Sequence, residues 1–366
     1  MKLKIKDITN YLESIAPLAY QEQYDNCGLL VGDKETELTS VLVALDCIED
    51  VVEEAIQKKC NLIVAHHPII FSGLKKITGK NYIERTILKA IKNDIAIYAM
   101  HTNLDNVSNG VNAKIAEKLG LINCKVLAPK QKLLKKIITF CPSEHADKVR
   151  AALYEAGAGH IGNYDHCSFN TDGFGTFRAL EGSHPFVGKQ NVPHQEKEQK
   201  IETIFPSYLQ SKVVSALFAS HPYEEVAYDI ISLDNNSTTV GSGMVGELES
   251  ELSEKDVFQL IKAQLNCTVI RHSSLLGKSI KRIAVCGGSG SFLLNEAIYS
   301  DCQLFITADV KYHQFFDADK KIVIADIGHF ESEQFTPELI KAFILRKFPT
   351  FAVHLTGVNT NSINYF

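Results

Sequence analysis

The chain has 366 residues, 45% of them hydrophobic, which provides for a large core and suggests two or three domains. Its 38 basic and 43 acidic side chains give a formal charge of −5, and no basic stretch stands out, which argues against a nucleic-acid partner. No apolar run approaches the roughly 20 residues of a membrane span. Nine scattered cysteines without a C-x-x-C motif indicate reduced thiols. Because Met1-Lys2-Leu3-Lys4 leads directly into an amphipathic pattern rather than a signal-peptide core, we expect a soluble, cytoplasmic protein.

Residues 1–129 alternate between short apolar runs and amphipathic segments. This rhythm predicts a mostly parallel α/β sheet. Apolar periodicity predicts helices over 5–16, 48–58, 81–93 and 109–119, and strands over 40–45, 61–64 and 95–100.

The rhythm changes near Pro129 and returns after the polar segment 234–239. Between these points we predict a strand over 133–141, a helix over 143–156 and glycine-rich hairpins. A polar loop over 190–200, a strand over 201–205, a helix over 207–219 and a strand over 226–233 follow. The order βαββαβ is typical of a ferredoxin-like α+β domain. Residues 130–238 are therefore predicted to be an inserted domain.

The α/β rhythm resumes over residues 239–366, with strands at 244–248, 282–286, 304–307 and 322–325. Its layout resembles that of residues 1–129. The predicted fold class is therefore α/β, with two similar α/β halves that form one metal-binding unit, interrupted by an α+β ferredoxin-like insert.

Candidate metal ligands lie at the carboxyl ends of the predicted strands, where open α/β sheets bind ligands. His66 and His67 follow the apolar run Asn61-Leu62-Ile63-Val64, and Pro68 ends that strand. Successive side chains of an extended chain point to opposite sides, so adjacent histidines suit two neighbouring metals better than one. Asp105 and His329 lie near other strand ends, and Glu333 shares a helix face with His329.

Three histidines and two carboxylates are about what a pair of metals needs, because imidazole suits Zn, Fe, Ni or Mn and a carboxylate can bridge two ions. Ordinary alternatives remain for each residue taken alone. His66-His67 fits a loop pair, Asp105 fits a cap before Asn109-Gly110, and His329 with Glu333 fits an exposed helix start.

Five segments together resemble the Nif-three-like family of dinuclear metal-centre proteins, whose members are called type 2 homologues of GTP cyclohydrolase 1. They are Tyr24-Asp25-Asn26-x-Gly28-Leu29, Ala65-His66-His67-Pro68, His101-x-x-x-Asp105, Thr307-Ala308-Asp309 and Gly328-His329-x-x-x-Glu333. The resemblance covers the chain outside the insert. It implies metal ligands at His66, His67, Asp105, His329 and Glu333, two divalent ions per chain and a ring-shaped homohexamer around an internal cavity. We expect zinc first, with Fe, Mn or Ni as alternatives.

The insert is similar to the PII- or CutA-like domain of longer family members. Its markers are Ile161-Gly162-Asn163-Tyr164 and His221-Pro222-Tyr223-Glu224-Glu225. These segments either bind a ligand or stabilise turns and a domain contact, and the sequence favours neither.

A second set of residues is predicted to surround the metals. Gly288, Ser289 and Gly290, between a strand and a helix, could hold a phosphate on their backbone N–H groups, although a plain turn fits equally. His101 and His313 are candidates for contacts to a ligand or to substrate. Asp46 and Asp309 are weaker candidates for the rim, and His272 and His354 are interpreted as structural.

Two functions are consistent with these residues. The first is a dinuclear metal-dependent hydrolase that uses metal-activated water on a nucleotide-like or phosphorylated small molecule; the sequence assigns no catalytic residue beyond the ligands. The second is a non-enzymatic metal-binding or regulatory scaffold in which the insert senses a ligand.

Overall fold

The computed structural model describes residues 2–365, and these divide into two compact units. The first unit contains the chain up to Pro129 together with the chain from Thr238 onward. The second unit is Lys130–Ser237. Each unit has its own sheets and its own hydrophobic core, so each is described separately.

The helices and strands are numbered here in chain order. The helices are α1 Ile5–Ile15, α2 Glu49–Gln57, α3 Tyr82–Lys92, α4 Thr102–Asp105, α5 Val111–Lys118, α6 Ala146–Glu155, α7 Gln210–Ser220, α8 Glu254–Gln264, α9 Leu294–Tyr299, α10 His329–Glu333 and α11 Thr336–Lys347. The strands are β1 Gly28–Val31, β2 Val41–Ala44, β3 Leu62–Ala65, β4 Ala96–Ala99, β5 Ile122–Pro129, β6 Leu134–Pro142, β7 Phe169–Arg178, β8 Pro193–Pro206, β9 Tyr228–Leu233, β10 Gly241–Leu252, β11 Arg271–His272, β12 Ile280–Ser289, β13 Leu304–Ala308, β14 Val323–Asp326 and β15 Val353–Leu355.

The first sheet of the larger unit has the order β1-β4-β3-β2-β15. The pairs β15–β2, β2–β3 and β3–β4 are parallel. The edge strand β1 is antiparallel to β4. Every residue of β2, β3 and β4 is buried. Continuous Val, Leu, Ile and Ala runs suit strands that are covered on both faces. The mostly parallel sheet predicted for this part of the chain is therefore confirmed.

The second sheet has the order β11-β14-β13-β12-β10-β5. Only β12, β13 and β14 pair in parallel, whereas the outer pairs are antiparallel.

The two sheets do not coincide with the two predicted halves of the chain. Strand β5 precedes the second unit in the sequence but pairs with β10 in the second sheet, and β15, the last strand, pairs with β2 in the first sheet. Hydrogen bonds at the two sheet edges set this exchange, which alternating strands and helices do not encode.

The second unit places its elements in the order βαββαβ, with one antiparallel sheet of order β7-β8-β6-β9. Helices α6 and α7 share a buried apolar cluster with one face of this sheet. The predicted loop over 190–200 is wrong, because β8 is a 14-residue strand that starts at Pro193. Its polar residues pair with β7 along a ten-residue register, so the partner strand rather than apolar content holds the segment extended.

All nine cysteines have free thiols, and six of them are buried. Among residues 2–365, no helix has the length and apolar content needed to cross a membrane.

We propose that Lys130–Ser237 is a separable module. Pro129 at the end of β5 lies opposite Gly241 at the start of β10, in adjacent antiparallel strands of the first unit. A short Gly-Ser turn that replaces residues 130–237 can therefore close a hairpin without moving either strand. We expect a cooperative thermal transition and undiminished metal content, measured by circular dichroism and elemental analysis. Aggregation with every one of several linker lengths would show that the removed segment belongs to the core.

Candidate metal centre

The parallel strands of the first sheet bring four polar residues to one edge. Ala44, Ala65 and Ala99 align across β2, β3 and β4. The chain then continues into Asp46 after β2, His66 and His67 after β3, and His101 after β4. Parallel strands end at the same edge, so these side chains come together although up to 55 residues separate them in sequence (101 − 46).

The second sheet contributes residues in the same manner. Asp309 follows β13, while His329 follows β14 and begins α10. Glu333 lies one helical turn after His329, so both side chains share a face of α10. Asp105 ends the short helix α4 that follows β4.

The carboxylate of Glu333 is shared by two groups of ligand atoms. Its Oε2 lies 3.0 Å from His67 Nε2 and 3.2 Å from His329 Nε2. Its Oε1 lies 3.8 Å from His66 Nε2, which is also 3.7 Å from Asp105 Oδ1. Three groups of side chains could therefore hold an ion: His67, His329 and Glu333; His66, Asp105 and Glu333; and His66, His67 and His101. The first two groups share Glu333.

The Nδ1 atom of each histidine lies within hydrogen-bond distance of an acceptor. His66 Nδ1 lies 2.7 Å from the Met100 carbonyl, and this acceptor requires the hydrogen to be on Nδ1. Carboxylates take the same position for the other three rings: Asp46 at 2.7 Å from His67, Asp25 at 2.8 Å from His101 and Asp309 at 2.6 Å from His329. Such partners of metal-binding histidines fix the tautomer and the ring orientation, leaving Nε2 as the ligand atom.

The charges of these groups depend strongly on one another. Burial lowers the pKa of His66. Burial also acts to lower the pKa of His67 and of His329, but hydrogen bonds to carboxylates outweigh it and raise these pKa values to about 10 and about 9. Burial would raise the pKa of Glu333, yet the surrounding histidines, His329 first, hold it well below its usual range.

Asp105 has the opposite shift. Burial and the nearby negative charge of Glu333 raise the pKa of Asp105 well above its usual range. Its ionised form is therefore unfavourable among the protein's own groups, and an adjacent cation would stabilise it.

Three observations fit a pair of divalent metals. His66 Nε2 and Asp105 Oδ1 are buried and make no hydrogen bond among the described residues, although buried polar atoms are nearly always paired. His67 Nε2 and His329 Nε2 approach to 3.4 Å, where two lone pairs would repel unless a proton or a metal lies between them. Zinc–ligand bonds of about 2.1 Å in tetrahedral geometry separate ligand atoms by roughly 3.4 Å, close to the spacings of 3.0–3.8 Å seen here.

Gly288 allows Glu333 to reach this position. Its φ is +60°, and a Cβ built there would lie 2.5 Å from Glu333 Oε1. Only glycine combines this backbone conformation with so close an approach.

The predicted phosphate cradle at Gly288–Gly290 is not supported. Gly288 lies within β12 rather than in a loop, and its N–H donates to Ser332 Oγ at 2.9 Å. The N–H of Gly290 donates to Thr307 Oγ1 at 2.9 Å. Because protein acceptors already bind both amides, the interpretation of these two as phosphate donors is wrong. Gly288 and Ser289 do line the cavity described next.

The candidate ligands face a cavity of about 450 Å³. His67, His101, Asp105, His329 and Glu333 all line it. The exposed rings of Tyr24 and Phe71 lie at its rim with centroids 6.2 Å apart.

His101 is thus part of the site, 5.3 Å from both His66 and His67 between ring centroids. His313 is not: it is exposed, packs against Tyr312 and does not line the cavity.

Sequence reasoning missed Asp25 and the Met100 carbonyl as partners of the histidines. Asp25 accepts hydrogen bonds from the N–H and the hydroxyl of Thr102 as well as from His101. Burial would raise the pKa of Asp25, but these donors hold it well below its usual range. Asp46 and Asp309, assigned only to the rim, instead orient His67 and His329. No local pattern marks such residues, because each partner is distant in sequence.

We expect Asp105→Ala and the isosteric Asp105→Asn to lose most bound metal while the fold stays intact. Asp105 is the partly exposed end of a four-residue helix and contributes little to the core. Elemental analysis after native purification, with the thermal transition as the test of folding, measures both effects. Wild-type protein that holds only traces of metal and takes up none on reconstitution would contradict the metal centre itself.

Asp46→Asn and Asp309→Asn should each weaken metal binding about 10–100-fold, because they remove the carboxylate that orients a ligand histidine. The matched control is Asp50→Asn, an exposed position of α2. Competition with a chromophoric chelator gives the affinities. If both variants equal the control, the outer carboxylates do not act on the ligands.

Comparisons with known proteins agree over the whole chain. The family model for Duf34/NIF3 (NGG1p interacting factor 3) matches residues 3–362. A protein of Bacillus subtilis (strain 168) named GTP cyclohydrolase 1 type 2 homolog is 39% identical over 327 residues, which cover 89% of this chain and 88% of that protein. A protein of the same name from Halalkalibacterium halodurans is 41% identical over 324 residues, 88% of this chain and 87% of that one. The crystal structure of a Bacillus cereus protein related to NIF3 superposes with a TM-score of 0.85 at 38% identity and full coverage of both chains. The chain therefore belongs to the Duf34/NIF3 family.

Proposed function

We propose that the protein is a dinuclear metal-dependent hydrolase that acts on a nucleotide-like or phosphorylated small molecule. The observation that carries the proposal is the single buried carboxylate of Glu333, whose two oxygens face two separate groups of nitrogen and oxygen ligands. Paired catalytic metals use such shared carboxylates.

In this proposal one divalent ion would be held by His66, Asp105 and Glu333 and the other by His67, His329 and Glu333. Mixed imidazole and carboxylate ligands favour zinc, with Fe, Mn or Ni as alternatives. When bound, such a pair supplies Lewis acidity and water that is nucleophilic at neutral pH.

Residues outside the ligand set orient the ligand histidines. The Met100 carbonyl, Asp46 and Asp309 hold the Nδ1 atoms of His66, His67 and His329, which leaves the Nε2 atoms to act as ligands.

His101 has a different proposed role. Its Nδ1 is held by the carboxylate of Asp25, and the ring borders the cavity. A histidine held in this way by a carboxylate can pass a proton through Nε2 to a leaving group.

The substrate class follows from the cavity and from the relatives. A volume of about 450 Å³ suits a small molecule. The exposed rings of Tyr24 and Phe71 offer a planar heterocycle a stacking surface. The relatives' name refers to GTP cyclohydrolase, which supports a purine nucleotide whose imidazole ring is opened with release of formate. Cleavage of a phosphate ester is the alternative reaction for the same site.

We also propose the class of the insert, the oligomeric state and the location of the protein. The antiparallel sheet order of the second unit is the ferredoxin-like order and supports a PII- or CutA-like insert. Exposed aromatic side chains, among them Tyr299, Tyr312 and Phe316, offer apolar surface for the homohexamer that the family resemblance implies. Nine free thiols support a reducing, cytoplasmic location.

Metal-analysed protein should turn over a member of a panel of nucleotides, phosphoesters and cyclic amides, and chelation should abolish turnover reversibly. His101→Asn should keep both metals yet lower kcat about 10²–10⁴-fold, because it removes a proton donor and not a ligand. His313→Asn, at an exposed histidine outside the cavity, is the matched control.

Two outcomes would contradict parts of this proposal. Loss of metal in His101→Asn would make His101 a ligand rather than an acid–base group. Fully loaded protein that turns over nothing across the panel would favour the metal-binding or regulatory scaffold.

A further inference from the structure

The second unit contains a cavity of its own, of about 730 Å³. It lies against the face of the sheet that is opposite α6 and α7. Ile201 and Phe205 of β8 point to the helices and are buried with them, whereas Glu198 and Lys200, at the alternate positions, line the cavity. The segment after β7 and the segment after α7 complete its walls.

The floor of this cavity is shaped around one carboxylate. Gly173 pairs with Glu198 across β7 and β8, and Gly175 lies two residues further along. A Cβ at Gly175 would lie 2.1 Å from Glu198 Oε2. The absence of a side chain at Gly175 therefore leaves the space that Glu198 occupies, whereas a Cβ at Gly173 would meet no other atom within 4 Å.

Three aromatic rings line the cavity close to one another, and one of them, Tyr223, contacts the carboxylate. The ring centroid of Tyr223 lies 6.2 Å from that of Phe177 and 6.3 Å from that of Phe186. Phe140 also lines the cavity. Tyr223 belongs to the segment His221-Pro222-Tyr223-Glu224-Glu225, to which the sequence alone assigns either ligand binding or a structural role.

Glu198 is buried, with 8% of its surface exposed, and its Oε1 accepts a hydrogen bond of 2.8 Å from the neutral hydroxyl of Tyr223. Within residues 2–365 no lysine, arginine or histidine forms an ion pair with it. The nearby Lys200 pairs with Glu202 at 2.5 Å. A buried carboxylate without a cationic partner is costly, so the site favours a ligand that brings a positive charge.

The charged side chains that line the cavity also favour a positively charged ligand. Four acidic side chains line the cavity, Asp172, Glu198, Glu224 and Glu225, against two basic ones, Arg178 and Lys200. An anionic ligand would therefore be repelled. A metal ion would find a single buried carboxylate among aromatic rings, and no potential metal site in the described residues includes Glu198.

We propose that this cavity binds a small organic cation, an amine or quaternary ammonium that carries an apolar group. The cationic group would lie at Glu198 between the rings of Phe177, Phe186 and Tyr223, where cation–π attraction adds to the ion pair. The apolar part would contact the remaining aromatic wall. This site is separate from the proposed hydrolase site, because all of its residues belong to the second unit.

The test uses the full chain and calorimetric titration with 2-phenylethylamine and benzyltrimethylammonium. The neutral 2-phenylethanol and the anionic 3-phenylpropionate serve as matched ligands. We expect at least one cation to bind and both comparison ligands to bind at least 10-fold more weakly. Glu198→Gln, which retains an acceptor for Tyr223, should weaken the cation at least 10-fold. Glu155→Gln, at the exposed end of α6 and outside the cavity lining, should leave its affinity unchanged.

A second pair of variants tests the rings. Tyr223→Leu should weaken the cation at least 10-fold, whereas Tyr223→Phe, which keeps the ring, should weaken it less. The proposal is overturned if neither cation binds at millimolar concentration, if the neutral ligand binds as tightly, or if Glu198→Gln has no effect. Thermal transitions of the variants show whether a loss of binding reflects unfolding.

Discussion

The larger unit depends on one buried carboxylate, that of Glu333, which is 3% exposed and lies among three histidines. A charged group in such a place is tolerated only with good partners. His66 and His67 come from the first sheet, whereas His329 and Glu333 follow the second. The carboxylate thereby links residues from both sheets, and each sheet supplies about half of the candidate ligands.

Around this carboxylate lies a layer of hydrogen bonds that fixes the orientation of the histidine rings. The Met100 carbonyl, Asp25, Asp46 and Asp309 each hold the Nδ1 of one histidine, so all four Nε2 atoms are free to face inward. The position of Glu333 explains the glycine at position 288, since any side chain there would displace the carboxylate. The backbone amides of Gly288 and Gly290 are not phosphate donors, because they already donate to the hydroxyls of Ser332 and Thr307.

The two units place different chemistry in their two cavities. In the larger unit, imidazoles and carboxylates converge at about 3–4 Å, the spacing of metal ligands. In the second unit, aromatic rings line a cavity with one buried carboxylate, Glu198, a pattern suited to an organic cation rather than a metal. Separate cavities for a metal pair and for an organic cation would suit either a regulated hydrolase or a scaffold that senses a ligand. Metal loading and amine binding can be measured independently.

The sequence by itself indicated the buried parallel strands and the polar residues at their ends. A short apolar run such as Leu62–Ala65 indicates a buried strand, and parallel strands end at one edge, so the sequence predicts that His66, His67 and His329 lie together. Only the tertiary structure decided which atoms meet. The exchange of β5 and β15 between sheets, the pairing of Asp25 with His101 across 76 residues and the extended β8 all depend on contacts between distant segments. Periodicity reports the local environment of each segment, whereas hydrogen bonds between remote residues are settled only when the whole chain packs.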